Sequence, residues 1–356
     1  MAVSTPVPSV LTDELIARCG DRAATYDREN RFFSEDFEEL RQAGYLKMPI
    51  PREFGGLGMS LAEVCREQRR LAYRAPATAL ATNMHLYWMG VAADLHRLGD
   101  TSLRWMLEEG GAGEVFAAGH GEPGNDLPVM YSTAKAERGD GGYTFTGRKS
   151  FGSLSPVWTR LGIHAQDNSD PANPKIVHAF LPRDTPGYWI DETWDTVGMR
   201  ATASHDTVLE GAFVPDKYIG RVVPTDFAGA DLFVLALFVW VEPTFASVYL
   251  GLAQRAIDLS VEAVKTKTSL AQLTRTMAYH PEVRLADDLV DQHRVSRVDR
   301  AGPNVAVQPL KLAALEHRGT AVDVERTIDD LLRRLDGVVL RRNQLGRPEA
   351  AVVDAV

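Results

Sequence analysis

The spacing of apolar residues changes twice along this chain, and that double change limits the folds open to it. From about residue 11 to residue 113 the apolar positions recur at helical intervals. LTDELIARCGDRAATYDREN opens on a Thr-Asp cap and sets Leu15, Ile16 and Cys19 on one face; SEDFEELRQAGYL, with a Ser cap, does the same for Phe37, Leu40 and Leu46 and ends near Gly44. A Gly-Gly-Leu-Gly loop then gives way to a Ser-capped helix in PIPREFGGLGMSLAEVCREQRRLAY, and ATALATNMHLYWMGVAADLHRLG, apolar almost all round, reads as a core helix. At Glu114 the pattern shortens. VFAAGHG, YSTAKAERG, GGYTFTGRKSFG, WTRLGIHAQD, KIVHAFLPRD and HDTVLEGAFVPDKYI are runs of β-formers separated by Gly, Pro, Asn and Asp, with GDGGYTFTGRKSF the clearest hairpin. After about residue 226 the helical period returns, as in GLAQRAIDLSVEAVKTK with Leu252, Ala256, Leu259 and Val264. The fold class read from this order is α+β: an N-terminal helical domain over residues 1–113, a middle antiparallel β domain over 114–225 and a C-terminal helical domain over 226–356.

Charge narrows the function. A formal net charge of −9 argues against a nucleic-acid surface and gives no attraction to anionic lipid, so any anionic ligand has to be held by local groups. Cys19 and Cys65 have no CxxC spacing and no histidine partner, which disfavours a metal site and a disulfide framework and fits a reducing cytoplasm. MAVSTPVPSVLTDEL shows no basic region followed by an apolar one, so the expected location is cytoplasmic. The segment LFVLALFVWVEPTFASVYLGLA, residues 232 to 253, has the length of a membrane span, but Glu242 and Pro243 interrupt it and it reads as a buried helix.

FAAGHGEPGND, residues 116 to 126, is not a phosphate loop, because no helix-forming run follows its glycines. Together with YLKMPIPREFGGLGMSL, GGYTFTGRKSFGS, WDTVGMRATASHDTVLEGAFVPD and YLGLAQRAIDL, it resembles the acyl-CoA dehydrogenase family of flavoproteins over most of residues 11 to 283. The resemblance implies a C-terminal four-helix bundle after the β domain, FAD bound between the two, an acyl-CoA substrate, an electron-transfer flavoprotein as electron acceptor, and a homodimer or homotetramer. Flavin chemistry accounts for the residue types: a ring accepting hydride at N5 gathers negative charge toward N1 and O2, which nearby N–H and hydroxyl groups stabilise.

Carried over position by position, the strand along the flavin becomes Ala118-Gly119-His120-Gly121-Glu122, and Ala118, His120 and Gly121 are candidate cofactor contacts. Gly121 stands where the family commonly has a hydroxyl residue, and Asp126-Leu127 where it has the Gly-Ser used on the pyrophosphate. Phe151 matches the aromatic that lies against the ring, and Ser153 the hydroxyl that approaches N5. Each also has a plainer reading: Phe151 a β-core residue, Ser153 and Glu122 turn residues, His120 a satisfied core or rim histidine. The catalytic base of a dehydrogenase would be Glu242, although ungapped alignment on Gly251 puts Val241 at the expected position; Glu242 otherwise forms an ion pair with Arg200 or stands at an exposed bend. Past about residue 284 the resemblance fades, no Phe, Trp or Tyr follows Tyr279, and the tail reads as diverged or as a shifted reading frame. The expected activity is oxidation of an acyl-CoA to its 2,3-enoyl form. The alternatives are a two-component flavin monooxygenase, which needs no carboxylate base, and a non-catalytic remnant with impaired FAD binding.

Overall fold

The computed structural model describes residues 9–126, 129–226, 231–268 and 276–279, and the chain divides by compactness after Ala256. Leu127, the tail beyond about residue 284 and most of the expected C-terminal bundle lie outside the described residues. Five α-helices come first: α1 (Asp13–Glu29), α2 (Ser34–Gln42), α3 (Leu61–Ala72), α4 (Pro76–Arg97) and α5 (Arg104–Ala112). Thr12 caps α1 by accepting from the Leu15 N–H at 3.2 Å, and a capping box between Ser60 and Glu63 starts α3. The Ser cap expected for α2 is not formed; Ser34 is the first helical residue and Phe33, with no side-chain bond to offer, holds the cap position. α4 is the core helix its sequence indicates, buried on nearly every side from Thr78 to Leu95.

Eight strands follow: β1 (Phe116–Gly119), β2 (Lys135–Gly139), β3 (Gly142–Gly152), β4 (Arg160–Asp167), β5 (Lys175–Pro182), β6 (Tyr188–Asp191), β7 (His205–Pro215) and β8 (Ile219–Pro224). Their order is β6-β7-β3-β2-β4-β5-β8, with β1 attached to β4. The sheet is mixed, which corrects the expectation of a purely antiparallel one. β1 pairs with β4 in parallel from Phe116↔Arg160 to Gly119↔Ile163, and β2 meets the same strand in parallel further on, at Lys135↔Gln166. The two strands follow one another along one edge of β4 and so must share its direction. The intervening turn, which carries Glu122, spans the gap between them.

The apolar segment at 232 begins α6 (Leu232–Thr266), which passes through Pro243 without ending. Its buried residues Phe233, Leu237, Trp240, Thr244, Val248 and Gly251 fall at helical spacing and form one inward stripe. Gly90 of α4 lies flat against the Trp240 indole, where a Cβ would come within 2.2 Å of the ring, and the Asn83 amide donates to Thr244 Oγ1 at 3.0 Å. Among the described residues α6 alone has the length and apolarity of a bilayer span, but its inward stripe is spent on contacts with α3, α4 and the sheet.

Candidate functional site

The site is built where the end of β1 meets the end of β3. Ala118 sits in β1 opposite Gly162, almost fully buried. Three residues on, Gly121 forms an isolated bridge to Ser150, whose N–H donates to the Gly121 carbonyl at 2.8 Å. A Cβ at Gly121 would lie 2.8 Å from Phe151 Cδ2 and 2.9 Å from the Ser150 carbonyl oxygen. The missing hydroxyl residue is thus a matter of space as well as identity, because β3 has closed in on this point. Gly121→Thr should force Phe151 aside, since the exposed ring can move and the backbone oxygen cannot. If the flavin that the family resemblance implies sits here, its affinity is expected to fall about tenfold or more with a melting temperature changed by only a few degrees; unchanged affinity in a titration would refute that placement.

Phe151 itself is no core residue. Its backbone is left-handed (φ 59°), its side chain is 62% exposed, and its edge meets the Trp194 ring at 5.9 Å between centroids and 89° between planes. A bulky residue held in that region of backbone space is strained, and a solvent-facing aromatic held so needs a use. Ser153, by contrast, is buried; its Oγ lies 2.7 Å from Ser204 Oγ, which lies 2.6 Å from Thr202 Oγ1.

Beneath this face lies a polar core. Glu122 is not a solvated turn residue: its side chain and that of Lys149 are fully buried and form an ion pair. Ser132 Oγ donates to the carboxylate at 2.5 Å, and the Thr133 N–H and the Asn125 amide each at 2.8 Å, while the ammonium also donates to the His164 carbonyl. Burial disfavours the charged carboxyl, yet the Lys149 charge and these hydrogen bonds outweigh it and hold Glu122 below the usual carboxylate range. Burial pushes the Lys149 ammonium down to about 8 against the pull of Glu122. His120 points away from Phe151 into this core, its Nδ1 3.1 Å from Nδ1 of His164, and the rings of His164 and His178 stack at 6.0 Å. Among the described residues, His120 Nε2 and both ring nitrogens of His178 have no hydrogen-bond partner. Burial, reinforced by Lys149, brings His120 down to about 3, and burial does the same to His178, so both are neutral imidazoles.

Glu242 belongs to none of this. It is exposed on α6, facing away from the buried stripe, and carries no ion pair among the described residues. Arg200 pairs with Asp195 at 2.6 Å and donates to the Asp27 and Thr196 carbonyls, so the expected Arg200–Glu242 pair is absent. The structure thus brings Gly121 against Phe151, with Ser153 two residues further along the chain, Ala118 in β1 and His120 just past its end. Sequence reasoning missed Lys149, Thr202, Ser204 and Trp194. For Lys149 a signal existed: it shares the parity of Tyr143 and Phe145, both inward along β3.

Helices, a mixed sheet and a long returning helix, with these residues at the strand ends, make the fold that of the acyl-CoA dehydrogenase-like flavoproteins. Residues 11–105 match the family described as acyl-CoA dehydrogenase, N-terminal domain. Residues 11–105 thus carry an N-terminal domain of the acyl-CoA dehydrogenase type, and the chain is similar to proteins of that family beyond it. L-evernosamine nitrososynthase of Micromonospora sp. is 30% identical over 269 residues, 72% of this chain and 62% of that protein. The putative acyl-CoA dehydrogenase YdbM of Bacillus subtilis is 29% identical over 256 residues, 70% of this chain and 64% of that protein. Among solved structures, KijD3 in complex with FMN and dTDP-3-amino-2,3,6-trideoxy-4-keto-3-methyl-D-glucose matches with a TM-score of 0.65 at 25% identity, covering 95% of this chain and 82% of that one. The chain spans less than two thirds of the length of these curated relatives.

Proposed function

We propose that the protein is a flavin-dependent monooxygenase that takes up reduced flavin and transfers one oxygen atom from O2 to the nitrogen of an amine, the other leaving as water as the flavin is oxidised, rather than an acyl-CoA dehydrogenase. The observation that carries this reading is the outward position of Glu242, with Val241, by ungapped alignment on Gly251, at one of the two places where the family carries its base. Removal of an α-proton requires a carboxylate within reach of the substrate; oxygenation of a neutral amine, itself the nucleophile, does not. The likeness to nitrososynthases supports the same choice.

The residues present suit a flavin. Phe151 offers an open aromatic face and Gly121 a backbone with no side chain in the way, and Ser153 follows two residues after Phe151 with its hydroxyl bonded to Ser204. A bound reduced flavin supplies the two electrons and the oxygen-activating ring, while the protein positions it and excludes water. Asp126-Leu127, in place of the family's pyrophosphate-binding Gly-Ser, favours FMN over the expected FAD, since FMN has no pyrophosphate to lose that contact. A flavin reductase would then stand where the electron-transfer flavoprotein was expected, and assembly as a homodimer or homotetramer in the cytoplasm completes the proposal.

The test is to incubate the purified chain with FMN, a flavin reductase, NADH, oxygen and either a dTDP-amino sugar or a simple primary amine, and to look for oxygen added at nitrogen by mass spectrometry. Glu242→Gln should turn over as the parent does. Anaerobic bleaching of bound flavin by an acyl-CoA would overturn the proposal in favour of the dehydrogenase.

A further inference from the structure

A groove opens between α1, α3 and α6, on residues that the flavin reading does not use. It encloses about 400 Å³, within the usual span of small-molecule sites, and Ile16 and Ala17 of α1 give it apolar surface. Two glycines set its width. A Cβ at Gly20 would lie 3.0 Å from Arg74 Cβ, and one at Gly251 would lie 2.5 Å from the Arg69 carbonyl oxygen, so α1 and α6 both press against the end of α3. Ala17 and Asp27 share α1, about 15 Å apart along its axis, and it is the Asp27 carbonyl that receives Arg200, from the loop that carries Trp194. The groove is thus a helix length away from the surroundings of Phe151.

Its charge is the opposite of the chain's. Arg66, Arg69, Arg70 and Arg74 line it, with Asp13 the one carboxylate among the lining residues, although the protein carries a net charge of −9. Spaced three, four and eight residues on from Arg66, the arginines share one helical face, where like charges repel. The pull of a helix C-terminus on cations accounts for Arg69 and Arg70, which stand in the last turn, but Arg66 stands mid-helix and Arg74 beyond the end. Nor do nearby carboxylates balance them. Arg70 takes both Asp13, at 2.8 Å, and the buried Glu67, at 3.1 Å. Among the described residues the exposed Arg66 guanidinium has no ion pair or hydrogen bond, and that of Arg74 has only the Tyr73 ring, 5.8 Å to its centroid. Arg255 of α6 adds a further cation 5.4 Å from the same ring.

We propose that this groove binds a diphosphate ester of nucleotide size. Guanidinium forks take phosphate oxygens in pairs, and Arg66 and Arg74 are the forks with that capacity to spare. Room decides the rest of the ligand: the groove is several times larger than an inorganic phosphate, and the surface of Ile16 and Ala17 gives a bare anion nothing to bury. A concave site between three helices also suits a small molecule better than the acidic face of a protein. Binding here does not depend on a flavin at Phe151.

The experiment is calorimetric titration of the full chain with ADP, adenosine, inorganic pyrophosphate and a short glutamate peptide, at an ionic strength of about 0.15 M to screen diffuse attraction. ADP should bind in the micromolar range, and each of the other three about tenfold or more weakly. Arg66→Glu combined with Arg74→Glu changes two exposed side chains and should lower ADP affinity about tenfold or more, the scale of one charge-assisted hydrogen bond. Arg66→Lys combined with Arg74→Lys keeps the charge without the forks and should fall between that variant and the parent. Arg28→Glu combined with Arg52→Glu alters the net charge equally, on exposed residues outside the groove, and should bind ADP as the parent does. Absence of ADP binding by the parent overturns the proposal, as does an equal loss in the Arg28 and Arg52 variant. Adenosine or pyrophosphate bound as tightly as ADP overturns the ligand class, and a tighter glutamate peptide overturns it in favour of an acidic protein partner.

Discussion

Lys149→Met is expected to lower the unfolding free energy by about 3–5 kcal/mol, the usual cost of leaving one member of a buried ion pair without the other. The two side chains are fully buried, and the hydrogen bonds from Ser132, Thr133 and Asn125 cannot by themselves neutralise the Glu122 carboxylate. The substitution acts one residue away from the site on both sides, because Glu122 follows Gly121 and Lys149 precedes Ser150 and Phe151. Glu122→Leu combined with Lys149→Met should recover most of the lost stability, as apolar replacements of buried pairs commonly do. Urea unfolding of the parent, both single variants and the double variant forms the cycle. A Lys149→Met variant within about 1 kcal/mol of the parent would contradict the assignment.

Acid should unfold the protein well above the pH at which its carboxylates titrate. Burial holds His120 and His178 down to about 3 and His85 down to about 4, and it lowers His164 as well, with the Lys149 charge adding to the effect on His120, His164 and His178. In the unfolded chain each takes a proton near pH 6.5. Below that pH the unfolded state binds protons that the folded state does not, so stability is full above about pH 6.5 and is lost as the pH falls. Each histidine contributes roughly 1.4 kcal/mol per pH unit. Asp36, pushed up to about 6 by burial against the pull of Arg22, works in the opposite sense, but it is one group against four. The sum by pH 5 is several kcal/mol, a large part of the stability of an ordinary domain. Urea midpoints at pH 7, 6 and 5 should fall steeply, and His178→Leu should flatten the slope; a midpoint constant over that range would refute the account.

The order of elements was legible in the sequence because period and punctuation are local: Thr12, Ser60 and the Gly-Asp-Gly-Gly hairpin mark their boundaries within a few residues. The parallel seating of β1 was not, since it depends on a partner about 44 residues away that both β1 and β2 approach along one edge. At the site, Phe151 and Ser153 could be picked out through the family resemblance, but what fixes their behaviour could not. Phe151 owes its exposure to a left-handed backbone, and Ser153 is bonded to Ser204 and through it to Thr202, which come from a loop some fifty residues later in the chain. Glu122 also reads as a solvated turn residue in the sequence because Pro123 and Gly124 follow it; only the fold shows that Lys149 reaches it.

The long helix α6 fixes more than a boundary. Trp240 against Gly90, Thr244 against Asn83 and Gly251 against Ala72 hold it at three points along its inward face. Each step of one residue turns a helix by about 100°, and none of these contacts survives such a turn. The side of the helix on which a carboxylate stands is therefore a discrete property of the sequence, not a setting the protein can adjust. Under the proposed function the Glu242 carboxylate stays on the outer face, and no turn of the folded helix brings it to the position that Val241 holds.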